Sequence, residues 1–229
     1  MSEAKVLIPE ELKRLASLVK LYDTFQDLRI VLNNKVRTLD IESEALDTIP
    51  VIANNMLLSE KIIAKEIERE VRQIDVYREY LRYVKGLGAV LSAKLICYIK
   101  DIERFATVAK LWRYAGLGVV DGKAERRRRG QKANYNTRFK ALMYVIANSF
   151  LKTGSKYRII YDRAKEYYTA NRDWNKSHIH YAALRRMEKL FLAHVWEKWR
   201  EIEGLPTREP YPIEYLGHIT KLEPEEFMG

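Results

Sequence analysis

The chain reads as predominantly all-α. Apolar residues recur at spacings of three and four along most of its 229 residues, and the first 80 lack the alternating pattern of a sheet. The clearest hairpin signal is one Asp121-Gly122 pair. The expected architecture is a long N-terminal helical hairpin or coiled-coil arm, followed by a helical domain with one short β-hairpin near 118–131.

Pro9-Glu10-Glu11 opens the first helix, because proline suits a first turn and carboxylates favour the positive end of the helix dipole. Leu12, Leu15, Val19, Tyr22, Phe25, Leu28, Leu32, Val36 and Leu39 then form one apolar stripe. A second helix is expected from about Met56 to Tyr83, with Ile63, Ile67, Val71, Ile74, Tyr77 and Leu81 on one face. Between the two lies an acidic connection ending in Thr48-Ile49-Pro50. Residues 1–80 therefore read as a helical arm. Its paired stripes suit intramolecular packing or a homodimer through residues 9–80.

That second helix is expected to run directly into V-K-G-L-G-A-V-L-S-A, residues Val84 to Ala93. Gly86 and Gly88 let the chain turn with positive φ and bring bare backbone close to a partner. At a helix start such backbone offers unpaired N–H groups, which suit a phosphate oxygen together with the positive helix end. Lys85 and Lys94 add charge beside Gly86, Leu87 and Gly88. On a G-x-G alone, a tight turn between packed helices would be the better reading. The flanking apolar spacing and lysines favour a clamp on a nucleic-acid backbone.

Downstream, Thr107 can cap a short helix carrying Leu111, Trp112 and Tyr114, and Gly116 can close it. Residues Gly118 to Asn136 form the most basic loop of the chain, with Lys123, Arg126, Arg127, Arg128, Arg129 and Lys132. A helix starting at Tyr135 or Asn136 carries Arg138 in its first turn, then Phe139, Leu142, Met143, Ile146 and Phe150, and stops near Gly154. Two more are expected, from about Lys156 to Asn171 and from about Ser177 to Ile202. Residues 81–203 thus form a basic helical domain. The acidic tail 204–229, with Pro206, Pro210, Pro212 and Pro224, reads as extended over the helices.

Charge is segregated along the chain. Residues 1–80 hold 12 Lys and Arg against 15 Asp and Glu, residues 81–200 hold 27 against 9, and residues 201–229 hold 2 against 7. A basic surface confined to the middle suits a polyanion. Nucleic acid is favoured over membrane lipid, since no basic amphipathic helix with an exposed apolar face stands out. The longest nearly apolar run, Ala141 to Leu151, is too short to span a bilayer. The single cysteine, Cys97, and an amino terminus without a basic-then-apolar pattern lead to the expectation of a cytoplasmic protein.

V-K-G-L-G-A-V-L-S-A resembles the helix-hairpin-helix element of DNA-handling proteins, with Ser92 where that pattern has alanine. The ordered set of that segment, D-I-E-R-F, L-W-R-Y-A-G-L, an arginine-rich loop and N-T-R-F-K-A-L-M-Y resembles the C-terminal domain of the bridge-RNA-guided, or DEDD, insertion-sequence transposases. The later H-I-H-Y-A-A-L-R-R-M-E-K-L-F-L and P-Y-P-I-E-Y-L-G-H segments look like archaeal members, so the resemblance covers roughly residues 67–218. The resemblance implies catalysis by four metal-binding acids on an RNase-H-like domain and a serine before the glycine-lysine of the basic loop. Here Val119-Val120-Asp121-Gly122-Lys123 has no serine, and residues 1–80 lack an RNase-H-like pattern. No catalytic residue, metal ligand or cofactor is therefore carried over, and the weight lies against an enzyme.

His178-Ile179-His180 with Tyr167 or Tyr168 offers a rival, a metal-dependent nicking nuclease. Helical spacing from Ser177 onward would splay the two imidazoles about 200° apart. The expectation is a non-catalytic protein binding double-stranded or branched DNA through its backbone, with RNA left open as a partner and an active transposase, recombinase or nuclease as the alternative. The expected contacts are Lys85, Gly86, Leu87, Gly88, Lys94, Lys123, Arg126, Arg127, Arg128, Arg129, Lys132 and Arg138.

Overall fold

The computed structural model describes residues 9–38, 45–120, 122–127, 129–207 and 222–229, with the side chains of 37, 38 and 45–47 left aside. In chain order the helices are α1 (Glu10–Thr38), α2 (Ala45–Val71), α3 (Asp75–Glu79), α4 (Ala89–Ile99), α5 (Val108–Tyr114), α6 (Thr137–Thr153), α7 (Arg158–Asn171) and α8 (Lys176–Ile202). One antiparallel ribbon joins β1 (Val119–Val120) to β2 (Lys123–Ala124), and 3₁₀ turns span Leu81–Tyr83 and Pro224–Phe227. The fold is predominantly helical, as the periodicity implies. Among the described residues no helix is long and apolar enough to cross a membrane.

Helices α1 and α2 form an antiparallel pair. Charge pins their register: Arg14 near the start of α1 reaches Glu70 near the end of α2 at 2.9 Å, while Arg29 grips the buried Glu60 with two guanidinium nitrogens. Leu12, Leu15, Val19, Ile63, Ile67 and Val71 are buried, whereas Leu28, Val31, Val51 and Ile62 further along the pair are exposed. Leu39, at the end of the expected first stripe, lies outside the described residues.

The second helix differs from its expected bounds at both ends. It begins at Ala45 rather than near Met56 and contains Pro50, which costs it one i→i−4 bond. It stops at Val71 rather than Tyr83, so a separate short helix, α3, and the 3₁₀ turn lead into the glycine segment. No glycine or proline causes that break. In a straight helix Tyr80 would point about 180° away from Val71; the change of direction buries both, together with Val76, Leu81 and Val84.

Helices α6 and α8 follow their sequence signals. The Asn136 side chain caps α6 by accepting from Phe139 N at 3.0 Å, Gly154 ends it in the left-handed region, and Asn175 caps α8 by accepting from His178 N at 2.8 Å. Thr107 stands at the start of α5 without a side-chain cap bond. Gly116 closes α5: its φ is +71°, Leu117 N reaches back to Trp112 O, and a Cβ would meet the Tyr135 ring at 2.7 Å. The core is centred on α8, whose Leu184, Met187, Phe191, Val195 and Trp199 are buried. The described end of the tail lies over these helices, with Phe227 stacked on Tyr157 at 4.6 Å; Pro210 and Pro212 lie outside the described residues.

Candidate nucleic-acid interface

The two glycines of the 84–93 segment do different things. Gly86 has φ +89°, accepts a hydrogen bond from Ser149 Oγ at 2.6 Å through its carbonyl, and sits where a Cβ would meet Thr153 Oγ1 at 2.5 Å. It is the close-packing glycine, pressed against the C-terminal end of α6. Gly88 is the N-cap of α4, exposed, in ordinary extended conformation, with no atom within 4 Å of an added Cβ. No side chain caps this helix start. The first-turn amides of α4 therefore open beside a bare glycine, with exposed Lys85 three residues earlier.

Leu87 and Lys94 are turned inward. The Leu87 side chain is buried, leaving its backbone at the turn. Lys94 reaches Asp23 of α1 at 2.5 Å and lies over the Tyr22 ring, so its charge is met within the chain.

The basic loop is anchored at its root and free at its tip. Val119 pairs with Ala124 and Val120 with Lys123, a two-residue connection as expected for Asp121-Gly122. Arg185 of α8 donates to the carbonyls of Leu117 and Gly118, both at 2.6 Å, and Lys140 of α6 donates to Glu125 O at 3.0 Å. Both cations are half-buried or better, and burial lowers the pKa of each. Beside them the buried Glu188 carboxyl is raised to about 7 by desolvation, against the pull of Arg185 and Lys140. Beyond this root, Lys123, Arg126, Arg127, Arg129, Lys132 and Arg138 are exposed. None of the six makes an ion pair among the described residues. Arg128 and Asp121 lie outside the described residues.

The glycine turn and the loop stand at opposite ends of α6. Gly86 touches Ser149, while the loop enters α6 at its Asn136 cap. Thr137 and Ser149 are twelve helical steps apart, a rise of roughly 18 Å. Phosphates follow one strand of B-DNA at about 3.4 Å, so that rise corresponds to roughly five nucleotides.

Arg185, Lys140 and Glu188 were not among the contacts expected from sequence. The tandem Arg185-Arg186 is the visible hint, but helical phase alone does not say that Arg185 faces two carbonyls of a distant loop. His178 and His180 begin α8 with separate partners, His178 stacked on Trp174 at 4.1 Å and His180 bonded to Tyr161 at 2.8 Å. Burial pushes the Cys97 thiol up to about 12, away from a thiolate near neutrality.

Residues 78–162 match the model of the transposase IS116/IS110/IS902 family. The matched segment runs from α3 into α7 and contains every candidate contact named above. It supports a transposase-derived domain over those residues, within the wider 67–218 span of the resemblance. The chain matches no curated protein.

Proposed function

We propose that this chain is a non-catalytic DNA-binding protein derived from a transposase C-terminal domain. The observation that carries the proposal is the set of six exposed cations, unpaired among the described residues, on and beside a loop whose root is tied to α6 and α8. Such cations replace the counterions of phosphates, and the open start of α4 offers amides to one more phosphate in the manner of a helix-hairpin-helix. Contacts of this kind position a protein on a duplex without reading bases. The preference is then for DNA shape, including bent or branched forms. Residues 1–80 act as an arm that supports self-association, 81–203 hold the DNA, and the protein works in the cytoplasm on DNA, with RNA as a second polyanion it can accept.

Gel-shift titrations of the full chain against duplex, single-stranded and four-way DNA over a salt series test this. About five neutralised phosphates predict a log–log salt slope of roughly −5. Undetectable binding of all three DNAs at low salt sinks the proposal. Metal-dependent cutting of any of them would instead make the chain a nuclease, recombinase or transposase, the rival class.

A further inference from the structure

A second surface carries a different chemistry. Tyr167 and Tyr168 end α7, Trp174 lies in the α7–α8 corner, and His178 and Tyr181 occupy neighbouring positions on the first turns of α8. Their rings form a chain: Tyr167 meets Tyr168 at 5.6 Å, Tyr168 meets Trp174 at 5.3 Å, and Trp174 lies flat on His178 at 4.1 Å with 7° between planes. On the other side Tyr181 approaches Tyr144 of α6 at 6.4 Å. Packing of the helix corner accounts for Trp174 against Tyr168. It does not account for Tyr144, Tyr167 and Tyr181, which are 45%, 50% and 57% exposed.

Positive charge predominates around these rings. Residues 157–186 hold seven Lys and Arg against three Asp and Glu, and the Arg172 guanidinium lies 5.7 Å from the centre of the Trp174 ring. Flat π-faces flanked by exposed cations suit unpaired nucleobases, which stack on the rings while the cations track the phosphates. A duplex has no free base faces to offer. The rings also lead toward the basic loop, because Tyr181 is one helical turn before Arg185, the residue that holds the carbonyls of Leu117 and Gly118.

We infer that Tyr144, Tyr181, His178, Trp174, Tyr168 and Tyr167 form a stacking platform for the unpaired bases of a single-stranded nucleic acid, distinct from the phosphate-binding loop. The platform binds single strands whether or not the loop binds duplex, so the two readings fail separately.

The test uses the full chain, fluorescein-labelled 20-mers of oligo(dT) and oligo(rU), and a labelled duplex, read by anisotropy. Tyr144→Ala with Tyr181→Ala changes two exposed side chains and is expected to weaken the single strands by about tenfold or more, each stacked base contributing severalfold, while duplex affinity changes less than twofold. Tyr144→Phe with Tyr181→Phe keeps the π-faces and should restore binding. Bases of oligo(dT) or oligo(rU) stacking on Trp174 should quench its emission, and Trp174→Phe should remove that quenching while binding persists. Weakening of both oligomers by the double alanine variant, or of one alone, supports the platform and shows whether it discriminates between deoxyribose and ribose strands. Unchanged single-strand affinity in the folded double alanine variant overturns it. So does a fall in oligomer mass with nucleic-acid binding intact, which would make the patch a protein interface.

Discussion

Tyr157 donates its phenolic hydrogen to Nδ1 of His194 across 2.7 Å, because the other ring nitrogen, Nε2, lies 2.8 Å from the Leu222 carbonyl and must carry the proton. With its hydrogen committed, the Tyr157 oxygen accepts from Tyr80 at 2.8 Å. A buried relay thus joins the residue before the 3₁₀ turn, the start of α7, the middle of α8 and the described tail. Lys156 Nζ to Met228 O at 2.5 Å and Gly229 N to Tyr83 O at 2.9 Å hold the same tail at two further points.

The relay has a direction, so its members are not equivalent. Tyr157→Phe removes both buried bonds of the relay, to Tyr80 and to His194 Nδ1, whereas Tyr80→Phe removes one and leaves the Tyr157–His194 bond intact. Each buried bond lost costs roughly 1–3 kcal/mol. Urea denaturation should place Tyr157→Phe below Tyr80→Phe by at least about 1 kcal/mol. Equal losses would mean that the relay runs the other way, with Tyr157 accepting from His194 and donating to Tyr80, so that Tyr80→Phe strands a donor too.

The two glycines of the turn should separate packing from binding. Gly86→Ala forces a side chain into positive φ and against Thr153, and should cost about 1–3 kcal/mol in thermal or urea unfolding. Gly88→Ala meets no atom within 4 Å and its extended backbone suits any residue, so the poorer N-cap and the stiffer unfolded chain partly offset and stability should change by less than about 1 kcal/mol. Its methyl group would take the open space a phosphate needs beside the start of α4, and DNA affinity should fall about tenfold, the worth of one charge-assisted bond of ~1.5 kcal/mol. Unchanged affinity for Gly88→Ala would remove the glycine turn from the DNA surface.

Glu188 predicts a pH dependence. Its folded carboxyl is raised to about 7 from 4.5, so the stability it contributes is fully present below about 4.5 and is lost as pH rises through about 7. Glu188→Gln cannot ionise and should lack that loss. Across this window the wild type should lose about 3 kcal/mol more than the variant, the size implied by the shift. Melting temperatures at pH 5 and pH 8.5 compare the two; parallel profiles would mean that Glu188 is already ionised at pH 5.

Much of this fold is legible because its instructions are local. Asn136, Gly154 and Asn175 bound their helices through contacts within five residues, and the ribbon register follows from two adjacent turn residues. The break after Val71 is not local: no helix-breaking residue marks it, and only the burial of Tyr80 against distant Tyr157 explains it. The candidate site divides in the same way. Its cations are visible as a run of residues, but Lys94 meets Asp23 only once α1 packs on α4, and Arg185 finds its carbonyls 67 and 68 residues away.

Charge removal on the loop should weaken every duplex alike. Arg126→Gln, Arg127→Gln and Arg129→Gln together delete three exposed cations, so the salt slope should become shallower by about 3. A loss confined to one DNA sequence would instead mean base readout by these arginines.

Arg185 distinguishes placing the loop from touching DNA. Its Nη2 donates to both the Leu117 and the Gly118 carbonyl, which holds the guanidinium at the root of the loop rather than among the exposed cations. Arg185→Met keeps much of the buried stem but strands both carbonyls and frees the ribbon at its root. Duplex affinity should fall about tenfold, from an unanchored loop worth ~1.4 kcal/mol, while the salt slope stays within about half a unit of wild type because the phosphate-neutralising cations remain. A slope shallower by a full unit would place Arg185 on a phosphate, and unchanged affinity would mean that the loop needs no anchor to bind.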